Sequence, residues 1–351
     1  MASQFVDGFA HYATANIFQK YTSLTGTANV QITASPPAGR VGPAMNMQTG
    51  GIARKTLTHQ SAWVMGIAWY TTGNNFFDDL WIWDHVATTL FRVRLQADGT
   101  ISLYAGPSTF ASNLIANSGT VGFSIHQNTW YYIEVSFSLS GATPITCSAT
   151  LRVNGTTLVS GSGVSTGINA ADLLLGTATA NNYAITANIN GQTYFKDSYT
   201  FDETGAFNTG FAGDVTFLTV FPDGDVTTNW TPTGGGTSFN QVNENPPDED
   251  VTYIESATPG DVDNFTWQDI PNSYTIIAVQ YLAFARKTAE GTKSIKQTVG
   301  PTGGFEQESP EWFLPDDYIY NHFSMDVDPA TAAPWTVANF NAKNFGIEVI
   351  S

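Results

Sequence analysis

Residues 90–160 form a run of hairpins, and no other stretch restricts the fold as strongly. Phe91, Val93 and Leu95 alternate with Arg92, Arg94 and Gln96; Asp98-Gly99 follows, and alternation resumes at Ile101 and Leu103. The segment ITCSATLRVNGTTLVSG repeats the scheme around Asn154-Gly155. A period of two places successive side chains on opposite faces of a sheet, one buried and one wet. Asp-Gly and Asn-Gly tolerate the positive φ that tight hairpin turns require, so the pattern predicts antiparallel strands rather than helices.

The rest of the chain reads the same way. Residues 61–71, SAWVMGIAWYT, are apolar almost throughout and suit a central strand buried on both faces or a strand with an aromatic outer face. Gly50-Gly51 predicts another hairpin, residues 172–176 a short buried strand, residues 181–192 a loop, and residues 193–201 and 213–221 two more strands. From residue 222 to 247 Gly, Pro, Thr and Asn are dense and alternation is lost, which marks a domain boundary. We therefore expect a domain over 1–228, a linker over 229–247 and a second domain over 248–351. In the second, Thr336 is placed as the N-cap of a single short helix, with Val337 and Phe340 at helical spacing.

Composition removes several classes of function. The net charge is −17, from 30 acidic against 13 basic residues, which argues against a nucleic-acid partner. A single cysteine, Cys147, excludes an intramolecular disulfide. The opening MASQFVDGFAHYAT has neither the basic nor the apolar region of a signal peptide. No window approaches the ~18 uninterrupted apolar residues of a membrane helix.

Three motifs carry a resemblance: FRVRLQADGTISLYAG; NTWYYIEVSFSL, with Trp130, Tyr132 and Glu134; and ATLRVNGTTLVSG, with Val153, Asn154 and Gly155. Together they resemble the laminin-G-like, concanavalin-A-like jelly roll. FAGDVTFLTVFPDGD (residues 211–225) looks like its closing strand. The C-terminal pieces DGDVTTNWTPTGG, SFNQVNENPPDEDVTYI and PWTVANFNAKNFGIEVIS are similar to structural proteins of tailed bacteriophages. The resemblance implies an all-β chain, a concanavalin-A-like jelly-roll sandwich followed by a smaller C-terminal β-sandwich. It further implies a non-enzymatic virion protein on the tail or capsid exterior, oligomeric within the particle, with other virion proteins and host-surface glycan as partners. A carbohydrate-binding adhesin is the alternative, and a glycan-active hydrolase a second one.

Candidate chemistry is sparse. Hydrolases on this fold set two carboxylates about 5 Å apart on one strand; here Glu134 stands alone and Asp202 and Glu203 are adjacent, facing opposite ways, so the chain is expected not to be an enzyme. The five histidines lack metal-ligand spacing. Calcium is the one cofactor considered, on Asp197, Asp202 and Asp214, because Ca²⁺ collects carboxylate and carbonyl oxygens. For a ligand or partner surface, Trp69, Tyr70, Phe76, Phe77, Trp81 and Trp83 flank one loop, and exposed aromatic rings stack on sugars or fill partner pockets.

Overall fold

The hairpins of residues 90–160 divide between two facing sheets. A computed structural model describes residues 3–73, 78–187, 191–301 and 304–351. Across the first sheet the strands run Thr156–Ser165, Thr146–Val153, Tyr131–Ser140, Ala62–Thr71, Thr193–Asp202, Ala44–Met47 and Val30–Thr33, with Ser3–Asp7 also paired to Thr193–Asp202. The second runs Leu114–Asn117, Ile101–Ala105, Thr88–Leu95, Asp78–His85, Ala180–Ala187, Gly51–Gln60 and Ser23–Thr25. Neighbouring strands are antiparallel. This is the expected jelly-roll sandwich.

The turn chemistry explains part of this order. Asn154 and Gly155 sit at φ +50° and +79°, and Val153 pairs directly with Thr156, so the two form a two-residue hairpin turn with both central φ positive. Gly50-Gly51 acts differently. It leads the chain out of Ala44–Met47 in the first sheet into Gly51–Gln60 in the second, so the expected hairpin is a crossing between layers.

Between the sheets lies an aromatic core. Trp63 of the first sheet packs against Trp83 of the second at 4.6 Å, and Phe91 stacks on Phe137 at 4.4 Å. Trp83 donates its indole N–H to the Met65 sulfur at 3.0 Å. Such ring pairs add about 1 kcal/mol each beyond the area they bury.

Two compact units divide the chain, Met1–Phe217 and Leu218–Ser351. The boundary thus falls earlier than the expected residue 228. Strand Pro222–Thr228 belongs to the second unit, where it pairs with Val262–Trp267. That sheet continues through Asn344–Val349, Ser294–Gly300 and Gln307–Glu308, with Trp312–Phe313 also on Ser294–Gly300. Val279–Ala285 and Ile319–Met325 form a separate pair, and Tyr281, Phe323 and Met325 from it meet Val299, Phe345, Trp335 and Phe340 in one core. The short helix is Val337–Asn341; the Thr336 hydroxyl accepts from the Asn339 N–H at 3.1 Å, the capping bond expected from sequence.

The first unit ties down its N-terminal segment through a buried carboxylate. Asp7 accepts from the Phe9 N–H (2.8 Å), the Tyr12 hydroxyl (2.6 Å) and the Tyr21 hydroxyl (3.0 Å), and lies 3.3 Å from the Lys20 ammonium. Lys20 in turn reaches His11 Nε2 at 2.9 Å, while Lys55 donates to the Lys20 carbonyl. Burial, and then the Lys20 charge, hold the His11 pKa well below 6.5. Below pH 6.5 the unfolded chain therefore binds a proton that the folded chain refuses. Stability should fall by up to roughly 1.4 kcal/mol per pH unit as the pH drops toward the folded-state pKa. Urea midpoints between pH 7 and 5 measure this, and His11→Gln should reduce the slope; an unchanged slope would assign it to other groups.

Candidate functional site

The outer face of the first sheet, turned away from the aromatic core, has a covered half and an open half. The covered half centres on Gly66. A Cβ there would lie 2.3 Å from Tyr199 Cε1 and 3.0 Å from Tyr132 Cε1, because both tyrosine rings lie down over the glycine. Tyr199 donates its hydroxyl to Glu134 at 2.6 Å, and Glu134, wholly buried, also lies 3.6 Å from Arg152.

Residues 203–217 cross this half as a strap without helix or strand. Main-chain groups fasten it: the Gly213 N–H donates to Glu134 (2.7 Å), the Ala212 N–H to the Tyr199 oxygen (3.1 Å) and the Phe217 N–H to Asp197 (3.1 Å). Phe211 lies under the Arg152 guanidinium. Arg40 bridges Asp197, at 2.9 Å, and Asp214. Asp197 sits at φ +51° in a bulge of strand Thr193–Asp202. Burial pushes its pKa up, against the opposing pull of Lys196, the Phe217 N–H and Arg40.

In the open half, strand register sets side chains in rows. Gln31 pairs with Asn46, Asn46 with Tyr194, and Tyr194 with Tyr70. Trp130 extends the row: its ring lies 5.3 Å from that of Tyr70, and Tyr194 meets Tyr70 edge-on at 5.9 Å. Just beyond the ends of these strands, beside the first row, come Asn29, Gln48, Gln192, Thr72 and Asn128. Main-chain bonds Gln48 N–H to Asn29 O, Thr72 N–H to Gln192 O and Asn128 N–H to Thr71 O hold this second row in register. Asn29, Gln48, Thr49, Gly191 and Gln192 line an open cavity of about 550 Å³.

The two rows are bonded to each other. Tyr70 donates its hydroxyl to Asn128 Oδ1 at 3.3 Å and Tyr194 donates to Gln192 Oε1. Burial and the neighbouring Tyr70 raise the Tyr194 pKa, so it keeps its proton. Asn46 is 8% exposed, and its Oδ1 is buried without a hydrogen-bond partner. An orphaned buried acceptor of this kind costs about 1–3 kcal/mol. All ten side chains of the two rows are uncharged.

Of the described residues expected to form an aromatic surface, Tyr70 alone is on this face. Trp69, Trp81 and Trp83 are buried in the core and present no ring to a partner. Their alternation was legible, but its inward phase was the opposite of a binding surface. Phe76 and Phe77 lie outside the described residues. The calcium expectation is also corrected. Asp197 and Asp214 converge on the Arg40 guanidinium, which occupies the place a cation would take. Asp202 is spent on Gln4 and Thr204. Among the described residues no group of three His, Cys, Asp or Glu could hold a metal. Tyr194, Asn46 and Gln192 were missed because only register joins them; Trp130 was noticed as a fold signature and not as a site.

No protein-family model and no curated protein matches the chain. Solved structures do resemble it. The alginate lyase from Aplysia kurodai is 11% identical, with a TM-score of 0.43 over 57% of this chain and 99% of that one. The endo-β-1,4-glucuronan lyase from Trichoderma reesei is 8% identical, with a TM-score of 0.37 over 57% and 95%. A galectin from Caenorhabditis elegans is 11% identical, with a TM-score of 0.25 over 49% and 95%. These structures correct the expectation that a chain of this kind is not an enzyme. Polysaccharide lyases are among the solved structures similar to it, and the missing carboxylate pair spoke only to hydrolysis. A likeness this distant assigns no reaction to the present chain.

Proposed function

We propose that the first unit binds carbohydrate across the open half of its outer sheet face. The observation that carries this reading is the alignment by strand register of Gln31, Asn46, Tyr194 and Tyr70 in one row, continued by the Trp130 ring against Tyr70, beside an amide-lined cavity. Aromatic rings give flat apolar area for pyranose faces, and fixed amides and hydroxyls hydrogen-bond the sugar edge. With neighbouring strands ~4.8 Å apart, the row crossing four strands spans roughly 14 Å before Trp130 lengthens it, room for several sugar rings. The placement on a phage tail or capsid exterior, with host-surface glycan and other virion proteins as partners, rests on the sequence resemblance alone.

A glycan array probed with the purified chain tests the reading. We expect binding that weakens at least about tenfold in Tyr70→Ala and in Trp130→Ala, as for aromatic hot spots. A blank array, or binding indifferent to both substitutions, removes the proposal.

A further inference from the structure

The chemistry of the same face narrows its ligand, a step that rests on the carbohydrate-binding reading. We infer that the ligand is an uncharged glycan, built of neutral hexoses or N-acetylhexosamines, and not a uronic-acid polymer. A uronate carries a carboxylate on every ring and needs cations, above all the bidentate fork of arginine. Neither row contains one.

Two cations border the face, Arg40 with its guanidinium 5.9 Å from the Trp130 ring centroid and the buried Lys196, and both are engaged with carboxylates. Arg40 is shared between Asp197 and Asp214. Lys196 donates to the Pro43 carbonyl at 3.0 Å and to the Gly8 carbonyl at 3.5 Å, and lies 3.8 Å from Asp197. Freeing either would take one of its two cations from the buried Asp197.

What the face does offer is acceptors. Tyr70 and Tyr194 have spent their hydroxyl protons on Asn128 and Gln192, so each presents oxygen lone pairs. Sugar hydroxyls and acetamido N–H groups supply donors to both; an ionised carboxylate supplies none and would set its lone pairs against theirs. The net charge of −17 adds a long-range repulsion toward polyanions that salt would screen.

Isothermal titration of the full chain with size-matched oligosaccharides tests the inference. The probes are neutral gluco-, galacto-, manno- and chito-oligosaccharides on one side, and oligoalginate and oligoglucuronate on the other. We expect at least one neutral series to bind and both uronates to bind at least tenfold more weakly, at 20 mM and at 500 mM salt. Tyr70→Phe, which removes one of these acceptors, should weaken the neutral ligand at least tenfold, and Gln192→Ala, at an exposed position, provides a second variant should Tyr70→Phe fold poorly. Uronates binding as well as neutral glycans would overturn the inference while leaving carbohydrate binding in place. No binding in either series would overturn both.

Discussion

Gly66→Ala is expected to destabilise the first unit by about 3 kcal/mol, the upper end for overpacking of a tight interior. The new methyl group would be 2.3 Å from Tyr199 Cε1 and 3.0 Å from Tyr132 Cε1. Neither ring can step aside. The Tyr199 hydroxyl is held between Glu134 and the Ala212 N–H, and the Tyr132 hydroxyl donates to the Asp197 carbonyl at 3.0 Å. For a unit of this size a loss of 1 kcal/mol lowers the melting temperature by about 2–4 °C. The cause is separable from any general weakness of the strand. Tyr199→Ala removes the obstructing ring, so Gly66→Ala should add little in a Tyr199→Ala background, and calorimetry of the four proteins gives the coupling. Fully additive losses would show that the ring contact is not the reason this position is glycine.

Glu134→Ala comes next in size. The carboxylate is wholly buried, and its removal takes the acceptor from the Tyr199 hydroxyl and the Gly213 N–H and the counter-ion from Arg152. Breaking a buried ion pair from one side costs about 3–5 kcal/mol, and the partly exposed Arg152 places this site at the lower end. The local effect is sharper. The strap loses one of its main-chain anchors, so limited proteolysis should cut within residues 203–217 at least tenfold faster than in the unaltered chain. Glu134→Gln keeps an oxygen acceptor and should fall between the two. Equal cleavage rates in all three proteins would mean that Glu134 does not hold the strap.

The sandwich itself was legible because its signals are local. Alternation and the Asn154-Gly155 turn act over a few residues, and so does the Thr336 cap, and each reappears as read. The errors lie where a distant partner decides. Residues 181–192 read as a loop, but Ala180–Ala187 is a central strand of the second sheet, held by Gly51–Gln60 and Asp78–His85 on its two sides. Residues 172–176 read as a buried strand, yet Leu174 and Leu175 are exposed there. Residues 213–221 read as a strand, but the strap spends its N–H groups on side chains of the sheet instead of on a neighbouring strand. The site shows the same limit. Period two says that one face is buried without saying which, and the inward phase took Trp69, Trp81 and Trp83 while Tyr70 and Tyr194 stayed on the other side.

The strap also settles where the constraint on its own sequence resides. It is held largely by main-chain N–H groups at residues 212, 213 and 217, which any residue but proline supplies, while the matching acceptors Tyr199, Glu134 and Asp197 belong to the sheet. Gly213, at φ +84°, Asp214, paired with Arg40, and Phe211, under the Arg152 guanidinium, are exceptions. The template for this crossing is therefore written in residues 134–199, well before the segment it shapes. Among descendants of this chain the strap can drift in sequence and keep its path, whereas one lost carboxylate beneath it would set it loose.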